Sequence, residues 1–160
     1  RIMQMVMRAT ADPRYLSRIT FVEDYDIDVA RDLVQGVDIW LNTPRPPQEA
    51  SGTSGMKACP NGALTLSTYD GWWIEAANGM NGWTIGDDAP LSDDERSVRD
   101  AEILYRLLEE EIVPLYYERD TATSLPTRWI GRMRESMKTV APYFNTARMV
   151  KEYTDRYYMT

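Results

Sequence analysis

The chain has 160 residues, enough for one domain with a real core and not for two. Its net charge of −7 argues against a nucleic-acid partner, and no apolar run approaches the ~20 residues needed to span a bilayer, so no membrane partner is expected. Histidine is absent, which removes His-based triads and most zinc sites, and no metal centre is expected. The one cysteine, Cys59, rules out an internal disulfide and fits a reducing cytoplasm; with no paired histidine beside it, it reads as a buried spectator.

In chain order, Ile2, Met3, Val6 and Met7 recur on one helical face with no capping residue before them. The chain thus opens inside an element, without an initiating methionine, and reads as a piece of a larger protein. The stretch Arg1 to Met7 is too short and too charged at its edge for a signal peptide. Ile19 to Glu23 is a β-branched and aromatic run that predicts a buried strand. Asp26 is placed to cap a helix carrying Ile27, Ala30, Leu33 and Val34 on one face, with Gly36 at its end. Val37 to Leu41 predicts a second strand, so residues 19–41 are expected to form a right-handed β-α-β unit with parallel strands. Pro44, Pro46 and Pro47 interrupt regular structure. A short helix from about 55 to 58 and a third strand from Ala63 to Thr68 follow.

Beyond Asp87 the character changes. Residues 87–120 hold twelve acids and four bases, and residues 121–160 hold seven bases and three acids, the pattern of solvated helix faces that complement each other. Ile103, Leu104, Leu107, Leu108 and Ile112 recur at helical spacing and are expected to stop at Pro114. Trp129, Ile130, Met133 and Met137 mark another helix after the start signals Ser124 and Pro126. Met149, Val150, Tyr153 and Tyr157 mark a last one, capped by Asn145. The expected organisation is one domain: residues 1–86 as a ligand-binding α/β region and residues 87–160 as a helical extension packed on it.

The chemistry concentrates in Glu49-Ala50-Ser51-Gly52-Thr53-Ser54-Gly55-Met56-Lys57. Glycines let the backbone bend with positive φ and approach a ligand closely, and amides opening a helix attract an anion. Such a cradle suits a phosphate, and a lysine just beyond it can pair with the phosphate or condense with an aldehyde. The run is no P-loop, because only Thr53 and Ser54 separate the two glycines and Ala58 follows the lysine. It leaves the end of a predicted strand, where open α/β sheets gather their ligands.

The longer string is more specific. The run 49–57, then Asn61-Gly62-Ala63-Leu64-Thr65-Leu66 and Asp70-Gly71-Trp72-Trp73-Ile74-Glu75, resembles the cofactor-lysine region of the α-glucan phosphorylases, the family of glycogen, starch and maltodextrin phosphorylases. The resemblance extends through Phe21 to Tyr25, Val34 to Pro44, Ala101 to Tyr117 and Phe144 to Tyr153, and the Thr-Ser-Gly-Met-Lys and Gly-Trp-Trp versions are similar to the shorter bacterial and archaeal branch. It covers only the latter part of the family's C-terminal domain. The fold it implies is α/β, part of a Rossmann-like C-terminal domain of a two-domain glycosyltransferase, with parallel strands followed by a helical tail.

What the resemblance implies for the site can be stated residue by residue. Lys57 matches the lysine that holds pyridoxal 5′-phosphate as a Schiff base. Thr53, Ser54 and Gly55 match the cradle of the cofactor phosphate, and Tyr25 the aromatic that packs on the cofactor. Glu49, Ser51 and Gly52 match the positions that hold the glucosyl unit. Asp70 and Glu75 read as scaffold. The reaction implied is phosphorolysis of α-1,4-glucan by inorganic phosphate to α-glucose 1-phosphate, with the cofactor's own phosphate exchanging a proton near its second pKa of ~6. The implied partners are the glucan, inorganic phosphate, the remainder of the phosphorylase polypeptide and a second copy in a homo-oligomer. Arg1, Arg8, Arg14 and Arg18 stand in no matching motif for the substrate-phosphate clamp, which the family carries upstream.

Two alternatives remain at this point. A retaining nucleotide-sugar glycosyltransferase of the same architecture carries a second glutamate eight residues after the first; here that position is Lys57, which cannot grip a ribose diol as a carboxylate does. The other is a catalytically silent packing module.

Overall fold

The computed structural model describes residues 2–159, so Arg1 lies outside the described residues. Two compact units divide the chain, one up to Asp32 and the other from Leu33 onward. In the first, α1 (Ile2–Thr10) matches the expected apolar periodicity; Asp26 begins α2 (Ile27–Gly36), which runs across the boundary between the units, accepting hydrogen bonds from the amides of Asp28 at 3.1 Å and Val29 at 2.9 Å. The strand expected over Ile19–Glu23 is not formed. That segment is irregular and exposed, with no partner ladder among the described residues, and a β-branched run without a partner gains nothing from extension. The β-α-β unit expected over residues 19–41 is therefore absent.

The second unit is built on three parallel strands in the order β1 (Ile39–Asn42), β2 (Leu64–Thr68), β3 (Gly82–Ile85). The central strand is buried along its whole length. Its alternation divides two packing zones. Leu64 and Leu66 join Trp83, Ile85 and the helices that follow in the main core. Thr65 meets Cys59, with Oγ1 and Sγ 3.3 Å apart, beside the second cluster of Cys59, Trp72, Trp73 and Val140. Cys59 is fully buried and free. Between β1 and β2 run α3 (Thr53–Ala58) and a tight turn, Cys59–Asn61; α4 (Trp73–Ala76) precedes β3. At Gly82 the strand crosses so close to its neighbours that a Cβ would lie 2.4 Å from the carbonyl oxygen of Thr65 and 2.7 Å from the Trp73 ring.

The helical half starts with α5 (Asp93–Arg106), whose Ser92 and Glu95 form a reciprocal capping box. Contrary to expectation, the helix does not stop at Pro114. It widens to a π turn over Leu107–Ile112 and continues as α6 (Val113–Tyr117). A proline ring inside a regular helix collides with the carbonyl four residues back, and the wider turn accommodates it. Then come α7 (Thr127–Val140) and α8 (Thr146–Tyr153), the latter capped as expected by Asn145, which accepts the Arg148 amide at 2.9 Å. Among the described residues no helix is long and apolar enough to cross a membrane.

Candidate functional site

The run from Glu49 to Lys57 leaves the C-terminal end of β1 and turns into α3. What fastens it is the carboxylate of Asp70, buried just past the C-terminal end of β2. Its Oδ2 accepts the Glu49 amide at 2.9 Å and its Oδ1 accepts the Gly71 amide at 2.9 Å. The Trp72 amide donates in turn to the Ser51 carbonyl at 2.8 Å. The two loops that follow β1 and β2 are thus laced by backbone bonds through one buried acid. Gly71 sits at their seam with φ +56; a Cβ there would stand 2.6 Å from the Ser51 oxygen and 2.8 Å from Glu49 Cγ. Gly52, at φ +80, opens α3, and a Cβ on it would be 3.1 Å from Glu49 Oε1. The half-buried Glu49 side chain therefore lies back over the Gly52 backbone.

The orientation of α3 has its own cause. Gly55 is buried and rests on the Trp72 indole, where a Cβ would be 2.9 Å from a ring carbon, and Trp72 meets Phe144 edge to face at 5.1 Å. Lys57 in the last turn of α3 consequently faces a cavity of about 390 Å³ whose other walls include Thr53, Met56, Phe144, Asn145 and Arg148. Lys57 Nζ donates to Thr53 Oγ1 at 3.4 Å, one helical turn back. Arg148 is pinned: it pairs with Glu152 at 2.6 Å, donates to the Tyr143 carbonyl, and stacks on the Tyr143 ring at 3.7 Å.

The structure carries Glu49, Ser51, Gly52, Thr53, Ser54, Gly55 and Lys57 on one folded segment, and of these Thr53 and Lys57 line the cavity. Tyr25 belongs to the first unit, in the loop before α2, where it is 60% exposed. Asp70 reads as scaffold in the sequence, where its two amide partners leave no mark, and nothing in the local order places Asn145, Thr146 and Arg148 on the wall of the lysine cavity. The only signal for the latter was the matched string from Phe144 to Tyr153.

A second cavity, about 260 Å³, opens at the C-terminal ends of all three strands, lined by Thr43, Arg45, Thr68, Ile85, Arg96 and Asp100. Its far wall is stapled to α5: Arg96 donates to the carbonyls of Asp87 at 2.9 Å and Ala89 at 2.6 Å, while Arg99 grips the Asp87 carboxylate at 3.0 and 2.6 Å. That grip, helped by the Ala89 amide, holds Asp87 below the usual carboxylate range. Burial pushes Asp100 the other way, against the attraction of Arg96 and Arg99. Among the described residues no three His, Cys, Asp or Glu side chains are gathered as a metal ion would require.

A family profile described as carbohydrate phosphorylase matches residues 2–86. A glycogen phosphorylase of Aquifex aeolicus is 50% identical over 158 residues, which is 99% of this chain and 22% of the relative. A maltodextrin phosphorylase of Thermococcus litoralis is 51% identical over 157 residues, 98% of this chain and 18% of the relative. A glycogen phosphorylase of Mycobacterium bovis is 42% identical over 158 residues, again 98% and 18%. The chain spans about a fifth of the length of these relatives.

Proposed function

This chain belongs to the carbohydrate phosphorylase family, and from that premise we propose that it forms part of an α-1,4-glucan phosphorylase that binds pyridoxal 5′-phosphate through Lys57. The observation that carries the reading is the folded run 49–57, which offers a carboxylate, three hydroxyls and a lysine amine on one short segment fastened by Asp70. In this reading residues 1–86 bind cofactor and sugar within a Rossmann-like C-terminal domain, residues 87–160 are its helical extension, and the whole enzyme works in the cytoplasm.

The residues present fit the cofactor. The cavity facing Lys57 falls in the range of about 300–1,000 Å³ usual for small-molecule sites. Its polar groups include the Lys57 amine, able to bond an aldehyde carbon, the hydroxyls of Thr53 and Thr146, able to donate to phosphate oxygens, and the side chains of Asn145 and Arg148. When bound, the cofactor supplies a phosphate that can exchange a proton with inorganic phosphate, a role this chain, which has no histidine, could not give to an imidazole of its own.

The rest falls to the chain's own groups. Lys57 holds the cofactor in place, and Thr53, Ser54 and the Gly55 amide hold its phosphate. Glu49 accepts hydrogen bonds from sugar hydroxyls while the amides near Ser51 and Gly52 donate to another, which fixes the glucosyl unit before reaction. Asp70 acts through Glu49: by holding the Glu49 amide it sets the position from which that carboxylate works. Tyr25 packs on the cofactor. The glucan, inorganic phosphate and the remaining polypeptide complete the site, and the whole enzyme assembles as a homo-oligomer.

Borohydride treatment of the cofactor-loaded parent protein, followed by peptide mapping, tests the assignment. The expected result is label on Lys57. Label on a different lysine, or none, would overturn it.

A further inference from the structure

Asparagine followed by glycine occurs three times: Asn61-Gly62, Asn78-Gly79 and Asn81-Gly82. Without a Cβ, a following glycine lets its amide nitrogen reach the asparagine side-chain carbon. The fold treats the three pairs differently. Asn61 donates to the Lys57 carbonyl at 2.8 Å, and buried Gly62 has its amide on the Cys59 carbonyl at 3.0 Å, with the Met133 methyl 2.8 Å from where a Cβ would be. Asn81 is fully buried, donates to the Ala76 carbonyl at 2.8 Å and Thr139 Oγ1 at 3.1 Å, and leads into β3. Both pairs are held against the swing that attack requires.

Asn78-Gly79 is not. Both residues are exposed, Gly79 sits at φ +77 with open space where a Cβ would be, and among the described residues its amide makes no hydrogen bond. The Asn78 side chain meanwhile sits among groups suited to acyl transfer. Its Oδ1 accepts from the amides of Met80 and Asn81, each at 2.9 Å, and its Nδ2 donates to Glu135 Oε1 of α7 at 3.2 Å. Two amides on a carbonyl oxygen polarise it and stabilise the oxyanion that forms on attack.

We propose that Asn78 is a self-modification site, deamidating in the folded protein ahead of Asn61 and Asn81. The Gly79 nitrogen bonds to Asn78 Cγ, the Cγ–Nδ2 bond breaks, and Nδ2 departs as ammonia after taking up the proton lost from the Gly79 amide. Glu135 steadies the positive charge that builds on the leaving nitrogen. Water then opens the five-membered imide at either carbonyl, leaving aspartate or its isomer linked through the side chain. The product places a carboxylate where an amide had donated to Glu135, so the bond tying the 78–81 loop to α7 becomes a repulsion between like charges.

The test uses the longest natural polypeptide that carries this chain, held at mildly alkaline pH with or without urea and mapped by mass spectrometry over time. In urea the three pairs should convert at rates within a few-fold of one another. In the folded protein Asn78 should convert roughly tenfold faster than Asn61 or Asn81, a barrier difference of about 1.4 kcal/mol. Glu135→Gln should slow Asn78 in the folded protein and leave its rate in urea unchanged. Asn78 converting natively no faster than the other two would overturn the proposal.

Discussion

Replacing Gly71 with alanine tests how tightly the two loops of the site are laced. A side chain at φ +56 costs about 1–2 kcal/mol in backbone strain alone. The new methyl would also stand 2.6 Å from the Ser51 oxygen and 2.8 Å from Glu49 Cγ, well inside normal packing distance. The Ser51 carbonyl cannot withdraw freely, because it receives the Trp72 amide at 2.8 Å. Overpacking of this kind costs a further ~1–3 kcal/mol, so Gly71→Ala should lose about 2–5 kcal/mol in all. Gly79→Ala is the matched control. Its φ of +77 imposes the same backbone strain, but the space around it is open, so only about 1–2 kcal/mol should be lost. Urea unfolding followed by tryptophan fluorescence measures both, with Trp72 adjacent to the perturbation. Equal losses in the two variants would refute the close approach of the loops.

Glu49→Gln should leave the cofactor bound but slow turnover of the parent enzyme tens- to hundreds-fold, since charged hydrogen bonds contribute about 1.5–3 kcal/mol; cofactor loss with normal turnover per remaining site would contradict the role given to Glu49. The 160-residue chain alone should release no glucose 1-phosphate from maltodextrin and phosphate, and light scattering should find it self-associated, because among the described residues β1 has no strand on its outer side and its Leu41 is 50% exposed. Measurable turnover by a clean monomer would count against this. The pH response should carry the mark of Asp87: Arg99 depresses its native pKa, so its stabilisation is present above the unfolded value of about 3.9 and is lost as pH falls through the lower native value. Asp87→Asn should therefore be less stable near neutrality and show a shallower acid limb in denaturation curves recorded across pH; an unchanged slope would rule out that contribution.

Local signals were legible where they coincided with packing. The alternation in Leu64–Thr68 and the cap at Asn145 are features of the chain itself, and both stand in the structure. The run Ile19–Glu23 has the same composition as a strand but finds no ladder, because pairing depends on residues distant in sequence. Conversely β3 was not anticipated: it is four residues long, lies between glycines, and is a strand because it pairs with β2 and lets Gly82 pass under Trp73. In the site, the glycines and the lysine could be read directly from one short run. The fastening of that run by Asp70 joins positions 21 residues apart, and the lysine cavity borrows its wall from α8, so neither was visible in local order.

The widened turn at Leu107–Ile112 constrains how this helix can change over generations. Its buried side chains fall at 107, 112 and 115, steps of five and three, where an ordinary helix would use four and three. Deleting one residue from 108–111 would restore the ordinary spacing, yet would push the ring of Pro114 into the carbonyl four positions back. Replacing Pro114 alone would leave the surplus residue in place and the buried spacing unaltered. A straight helix is thus reached only through two changes, and the deletion is tolerated only where the proline has already gone. Mutational order, and not only composition, is written into this segment.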